Sequence, residues 1–278
     1  PCLPPGSLHE FVGILQRWHV PGRTYRALCE SELRQLKTTN PPAPRIGFDR
    51  YIALEWASAA LRVRAGLAEP DDLNALLDEA GLGVAARKKT RTVLNRLWLE
   101  PRPELASFAE RGIAIYKANP GVPTTALTWG MAIASYPFFG KVAELVGRLS
   151  ALQGDCASTE VHRRMSEVYG EREGTYRMTN MVLQSQASWG AIERVEKGKR
   201  LVRLKPRVLN DAETIAWLIE AALRYGGKSV SVPALSSLAV LYPFVLDQPL
   251  GYLASQSPNL TLHAQSPGSQ VVGLRTED

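Results

Sequence analysis

Apolar residues recur every three to four positions over most of this chain, the period of helices that bury one face. Phe11, Ile14, Leu15 and Trp18 share such a face and predict a first helix over 7–20. Ser7 is its N-cap, Glu10 completes a capping box, and Pro21-Gly22 stops it. A second helix is predicted over 23–37, and the proline-rich stretch 38–45 leads to a third over 48–66. Pro70, Asp71 and Asp72 mark the next start, because early acids suit the positive end of the helix dipole. Gly81 and Gly83 make a turn before a longer helix over 84–99 that ends ahead of Pro101, which is helix-turn-helix spacing. Helices follow over 103–119 and 124–136.

From Tyr136 the pattern changes to three helices and a hairpin. Val142, Leu145, Val146, Leu149 and Leu152 form the stripe of a helix over 138–153, ended by Gly154-Asp155. The next begins at Ser158 or Thr159 and closes at Gly170. A third runs to Trp189 and stops at Gly190, with Met178, Met181, Val182 and Trp189 turned to the core. Ile192 and Val195 open a hairpin, Gly198 supplies the dihedrals of its turn, and Leu201, Val202 and Leu204 return it. That order is the order of a winged helix. Beyond it, Asp211 or Asn210 caps a helix over 212–225 with Ile215, Leu218, Ile219 and Leu223 inward. Two short helices are predicted over 232–246 and 251–255, and the alternating TLHAQ and VVGLR predict a terminal hairpin.

The expected fold is therefore mainly α. It comprises a helical N-terminal segment (1–45), a helical domain with a helix-turn-helix (46–135) and a central winged helix (136–207). A C-terminal α+β wing-like unit (208–278) completes it. Two stretches lack charge, 118–140 and 229–246, but prolines interrupt both, so they predict buried helices and turns rather than membrane spans.

Charge adds a direction. The chain carries 33 Lys and Arg against 27 Asp and Glu, a formal +6 with a pI near 9.3, which favours an anionic partner. The cations cluster at Arg87, Lys88, Lys89, Arg91 and Arg96, and again from Lys197 to Arg207, where six bases stand without one acid. Lys197, Lys199, Arg200 and Arg203 of that strip would neutralise phosphates without reading sequence. The third helix of a winged helix fits the major groove, and here its start carries Thr175, Tyr176, Arg177, Thr179 and Asn180. Arg177 and Asn180 suit guanine and adenine edges, and Arg163 and Arg164 on the preceding helix would brace the backbone. A winged helix that binds protein would present a similar polar face, and that reading stands beside the DNA one.

Catalytic patterns are absent from the sequence reading. RYGGKS lacks the first glycine of a phosphate loop and follows a helix. Cys156 and His162 have no third orienting group, and His9, His19, His162 and His263 are scattered. Cys2, Cys29 and Cys156 fit reduced thiols in a cytoplasmic protein, and PCLPPGSLHEF has neither the basic flank nor the apolar run of a signal peptide. No metal or cofactor is expected.

One stretch resembles a known family. Arg87, Lys88, Lys89, Thr90 and Arg91, then Arg96-Leu97, Pro103-Glu104-Leu105 and Glu110-Arg111-Gly112, are similar to the BrxA family of BREX bacteriophage-exclusion systems. The resemblance covers roughly residues 8–204 and implies a small, non-catalytic, DNA-binding helical protein of a defence operon. The tail after Arg207 departs from that pattern. With double-stranded DNA as the expected partner, this C-terminal unit is the expected contact for other defence proteins. A transcription regulator sharing only the fold is the alternative.

Overall fold

A computed structural model describes residues 46–266 and 268–275. The helices expected over 7–20 and 23–37 lie outside the described residues.

Residues 46–53 form an irregular segment with a bend at Arg50, where a helix from 48 was expected. Phe48 and Ile52 are both fully buried, a spacing that imitates a helical face. The backbone of Ile52 and Leu54 is instead held by distant side chains. The Ile52 N–H donates to Ser185 Oγ at 2.8 Å, its carbonyl accepts from Trp189 Nε1 at 2.9 Å, and the Leu54 N–H donates to Ser188 Oγ at 3.2 Å. These bonds satisfy polar groups that a helix would otherwise have to pair internally.

Helix α1 (Leu54–Arg64) then packs on α2 (Pro70–Glu79) and α3 (Val84–Leu94), which a π-turn (Asn95–Leu99) continues. The start of α2 is as the sequence indicates: Pro70 stands in its first turn, and the Glu69 N–H donates to Asp72 Oδ2 at 2.9 Å. A 3-10 turn (Pro103–Leu105), α4 (Ala106–Ala118) and α5 (Thr124–Ser135) follow. Nearly every residue of α5 is buried, which explains its uncharged sequence.

Next come α6 (Pro137–Leu149), a short strand β1 (Asp155–Ala157), α7 (Ser158–Tyr169) and α8 (Glu173–Ser188). Strands β2 (Ile192–Val195) and β3 (Arg200–Arg203) complete the segment, in a sheet ordered β1-β3-β2. Helix α6 ends four residues before the expected 153, so Leu152 is 99% exposed rather than part of the apolar stripe. Strand β1 was not expected. Asp155, Cys156 and Ala157 pair antiparallel with Val202, Leu201 and Arg200, a partnership that three residues cannot announce locally.

Strand β4 (Arg207–Leu209) leads into α9 (Ala212–Gly226), whose N-cap Asp211 accepts from the Thr214 N–H at 2.8 Å. The expected helix over 232–246 is absent. Strand β5 (Val230–Ser231) gives way to 3-10 turns over Val232–Ser237 and Ala239–Leu241, then to β6 (Phe244–Leu246), which pairs parallel with β4. Pro233 and Pro243 break the helical ladder that the apolar spacing suggests. Helix α10 (Leu250–Gln256) and the hairpin β7 (Leu260–Ser266) and β8 (Ser269–Leu274) end the described chain, with β5 added to β8.

The molecule is mainly helical, with small sheets, and its buried apolar cluster is continuous from Phe48 to Val272. Trp129 and Trp189 stand at the centre of that core, their rings 6.0 Å apart and edge-on. Trp129 donates to the Val240 carbonyl at 2.9 Å. Among the described residues no helix is long and apolar enough to cross a membrane.

Candidate nucleic-acid interface

The hairpin after α8 has an unusual tip. Glu196, Lys197 and Gly198 all have positive φ, at 52°, 57° and 84°. Two side-chain-bearing residues in this region cost on the order of 1 kcal/mol each. The turn projects Lys197 and Lys199, both exposed and without an ion pair among the described residues. Gly198 is needed for its dihedral, and a Cβ there would press on the end of the Arg194 side chain, 2.8 Å from Nη2. Arg194 fills the underside of the tip and donates to Asn180 Oδ1 at 2.7 Å, tying the hairpin to α8.

The other cations of the strip are distributed unevenly. Arg200 Nε lies 3.1 Å from Asp155 Oδ2 and its Nη1 3.5 Å from Glu196 Oε1. Lys205 and Arg207 are exposed. Arg203, expected among the phosphate contacts, turns the other way. Its Nη2 donates to the Tyr242 carbonyl at 2.9 Å and its guanidinium rests over the Tyr242 ring at 5.3 Å. It fastens the hairpin to the core.

Helix α8 corrects two further expectations. Thr175 and Thr179, expected on the contact face, are fully buried. Their hydroxyls donate to the Gly170 and Thr175 carbonyls at 2.9 and 2.8 Å, so each polar group is satisfied by the nearby backbone. Met178 and Val182 face the core as expected, while Met181 is only half-buried. The exposed side carries Tyr176 and Arg177, with Asn180 half-buried and engaged by Arg194. Tyr176 is 59% exposed and stacks on His162 of α7, centroids 4.0 Å apart. Burial, and then the Arg194 charge, push His162 down to about 4, so the ring is neutral near pH 7.

Arg163 and Arg164 are both committed to carboxylates of their own helix. Glu160 Oε1 accepts from Arg163 at 2.6 Å and from Arg164 at 3.0 Å, and Glu167 takes both from the other side. Hydrogen bonds from the two arginines hold the Glu160 carboxyl down to about 2. Across α7, α8 and their connection, Arg163, Arg164, Arg172 and Arg177 are matched by Glu160, Glu167, Glu171 and Glu173.

Helix α3 shows a similar compensation. Arg87 pairs with Asp78 of α2, its Nη2 3.1 Å from Asp78 Oδ2, and Arg91 donates to Asn74 Oδ1. Lys89 approaches Asp49 at 4.0 Å. Lys88 is exposed with no ion pair among the described residues. The expected cluster is thus reduced on its outer side to Lys88 and Arg96, the latter exposed in the π-turn with no ion pair among the described residues, with Lys89 weakly engaged.

Among the described residues, no three His, Cys, Asp or Glu side chains gather as a metal site. Cys156 is buried in β1, and burial followed by the Asp155 charge pushes its thiol up to about 11. Arg194 is the contributor that the sequence did not single out. A lone arginine between two glutamates in a strand reads as surface charge, and only the fold puts it beneath Gly198. Comparison with protein families, curated proteins and solved structures gave no match for this chain.

Proposed function

We propose that residues 137–203 form a winged helix and that the protein is a non-catalytic binder of duplex DNA. The supporting order is α6, β1, α7, α8, β2, β3, with the three strands paired as β1-β3-β2. The single observation that carries the binding reading is the left-handed tip, which holds Lys197 and Lys199 in solvent without carboxylate partners among the described residues. In this reading the wing neutralises phosphates, with Lys205 and Arg207 extending the track. Helix α8 offers Tyr176 and Arg177 to the groove. Lys88 of α3 is a further phosphate contact. A role in BREX-like phage defence is proposed on the Arg87–Gly112 resemblance alone.

The balanced charges of α7 and α8 favour a second reading, a winged helix that binds another protein. Anisotropy titration of a labelled duplex separates the two. The DNA reading expects affinity to fall steeply between about 50 and 200 mM salt, as counterion release requires. No binding at the lower salt overturns it and leaves the interaction module.

A further inference from the structure

A cavity of about 380 Å³ lies between α4, α9, α10 and the turn over 257–259, away from the hairpin residues just described. Its walls are mostly aliphatic: Ala114, Ile115, Ala216 and Leu253, with the edge of Trp217. Trp217 is firmly placed. It stacks on Phe108 at 4.3 Å, donates to the Phe108 carbonyl at 2.9 Å, and occupies the space that a Cβ at Gly112 or Gly130 would need.

The cavity's charged part is Arg111 with Glu220. Glu220 is buried, and one of its oxygens accepts from Arg111 Nη2 at 2.6 Å and from Arg224 Nη2 at 2.8 Å. Two guanidinium groups thus share one carboxylate, which leaves a positive charge in a partly desolvated place. Both lie against the Phe108 ring, at 5.9 and 5.3 Å, so their positions are set by packing. Arg111 is also under-used. Its Nε is enclosed without an acceptor, and its Nη1 makes no hydrogen bond among the described residues. About a third of its side chain remains exposed, on the cavity side. The remaining carboxylate is Glu213, exposed at the rim.

We propose that this cavity binds a small aliphatic carboxylate. The ligand's carboxylate accepts from the unengaged Nη1 of Arg111, and its chain covers Ala114, Ile115, Ala216 and Leu253. An aliphatic body matches the walls, and a carboxylate supplies an acceptor for Arg111 Nη1. The volume suits a single small molecule. The site is independent of the DNA reading and stands or falls without it.

The test is calorimetric titration and thermal melting of the full chain with octanoate, with 1-octanol and octylammonium as probes of the same length. Octanoate is expected to raise the melting temperature in a concentration-dependent way and to bind at least about ten-fold more tightly than either control. Arg111→Met should abolish that preference. Ala114→Phe, at an exposed rim position that leaves the Arg111–Glu220 pair intact, should block octanoate even if the first variant folds poorly. Glu213→Gln should tighten octanoate by removing a like charge. Equal binding of octanoate and octanol, no binding of octanoate, or binding unaffected by Ala114→Phe overturns the proposal.

Discussion

The hairpin tip and the outer faces of α7 and α8 lie side by side and are both rich in cations, but they hold them differently. On the helices, Arg163 and Arg164 are clamped by Glu160 and Glu167 one turn away, so the charges are largely spent within the element. A helix brings residues three and four apart together, and a sequence such as STEVHRRMSEVY then pairs itself. At the hairpin tip Arg200 finds carboxylate partners in Glu196 and Asp155, but the two lysines do not. The left-handed turn points Lys197 and Lys199 outward, while Arg194 and Arg203 are used internally to seat it. Counting bases along the chain therefore overstates the helices. The open charge belongs to the hairpin.

The largest expected effect tests that contrast directly. Replacing Lys197 and Lys199 together by Gln should weaken duplex binding by about one to two orders of magnitude at low salt. The same change should make the salt slope shallower by about 1.8, the value for two phosphate contacts. An unchanged slope, measured by anisotropy at several salt concentrations, would place the contact elsewhere.

The reverse experiment comes next in size. Glu160→Gln with Glu167→Gln releases Arg163 and Arg164 from their pairs, and duplex affinity should rise several-fold, roughly up to ten-fold, with a steeper salt slope. If affinity does not change, the α7 face lies away from the duplex. That would confine binding to the hairpin.

A smaller effect concerns the seat between the two regions. Unfolded, His162 takes up its proton near pH 6.5; in the fold it does so only near 4. Between these values the unfolded chain carries the proton and the folded one does not. Stability should therefore fall as pH drops from 6.5 towards 4 and level off below. The loss should be on the order of 1–2 kcal/mol after allowing for solvent screening of a half-buried ring. His162→Phe keeps a ring against Tyr176 without the titration, and urea unfolding midpoints against pH should be flatter in this variant.

The smallest expected effect is at Thr179. Because its hydroxyl only serves the Thr175 carbonyl in the core, Thr179→Val should leave duplex affinity unchanged, with stability altered by less than about 1 kcal/mol. A clear loss of binding without a loss of stability would return Thr179 to the contact face.

Much of the helical scaffold was legible because its signals are local. The apolar stripe of α9 at Ile215, Leu218, Ile219 and Leu223, its Asp211 cap and the Pro70 start of α2 each declare themselves within one or two turns. The pieces that escaped depend on distant partners. Phe48 and Ile52 look helical until Ser185 and Trp189 take the backbone groups of Ile52. Strand β6 exists because β4 lies beside it, although Val232–Leu246 alone reads as apolar helix. The site divided in the same way. The basic strip and the hairpin were readable, but the inward turns of Thr175, Thr179 and Arg203 follow from register and packing. A threonine that bonds its own helix looks no different in sequence from one that meets a solvent or a base.

The bonds between residues 52–54 and 185–189 have a consequence for how the molecule is made. They join positions more than 130 residues apart, as the 133-residue separation of Ile52 and Ser185 shows. Contacts of this span form late, since loop closure must precede them. During synthesis the Phe48–Ile52 segment emerges long before Trp189 and waits with its apolar side chains uncovered. The time at which the Ile52 amide gains protection during refolding would then report the last event of folding, the docking of residues 46–53 onto the foot of α8.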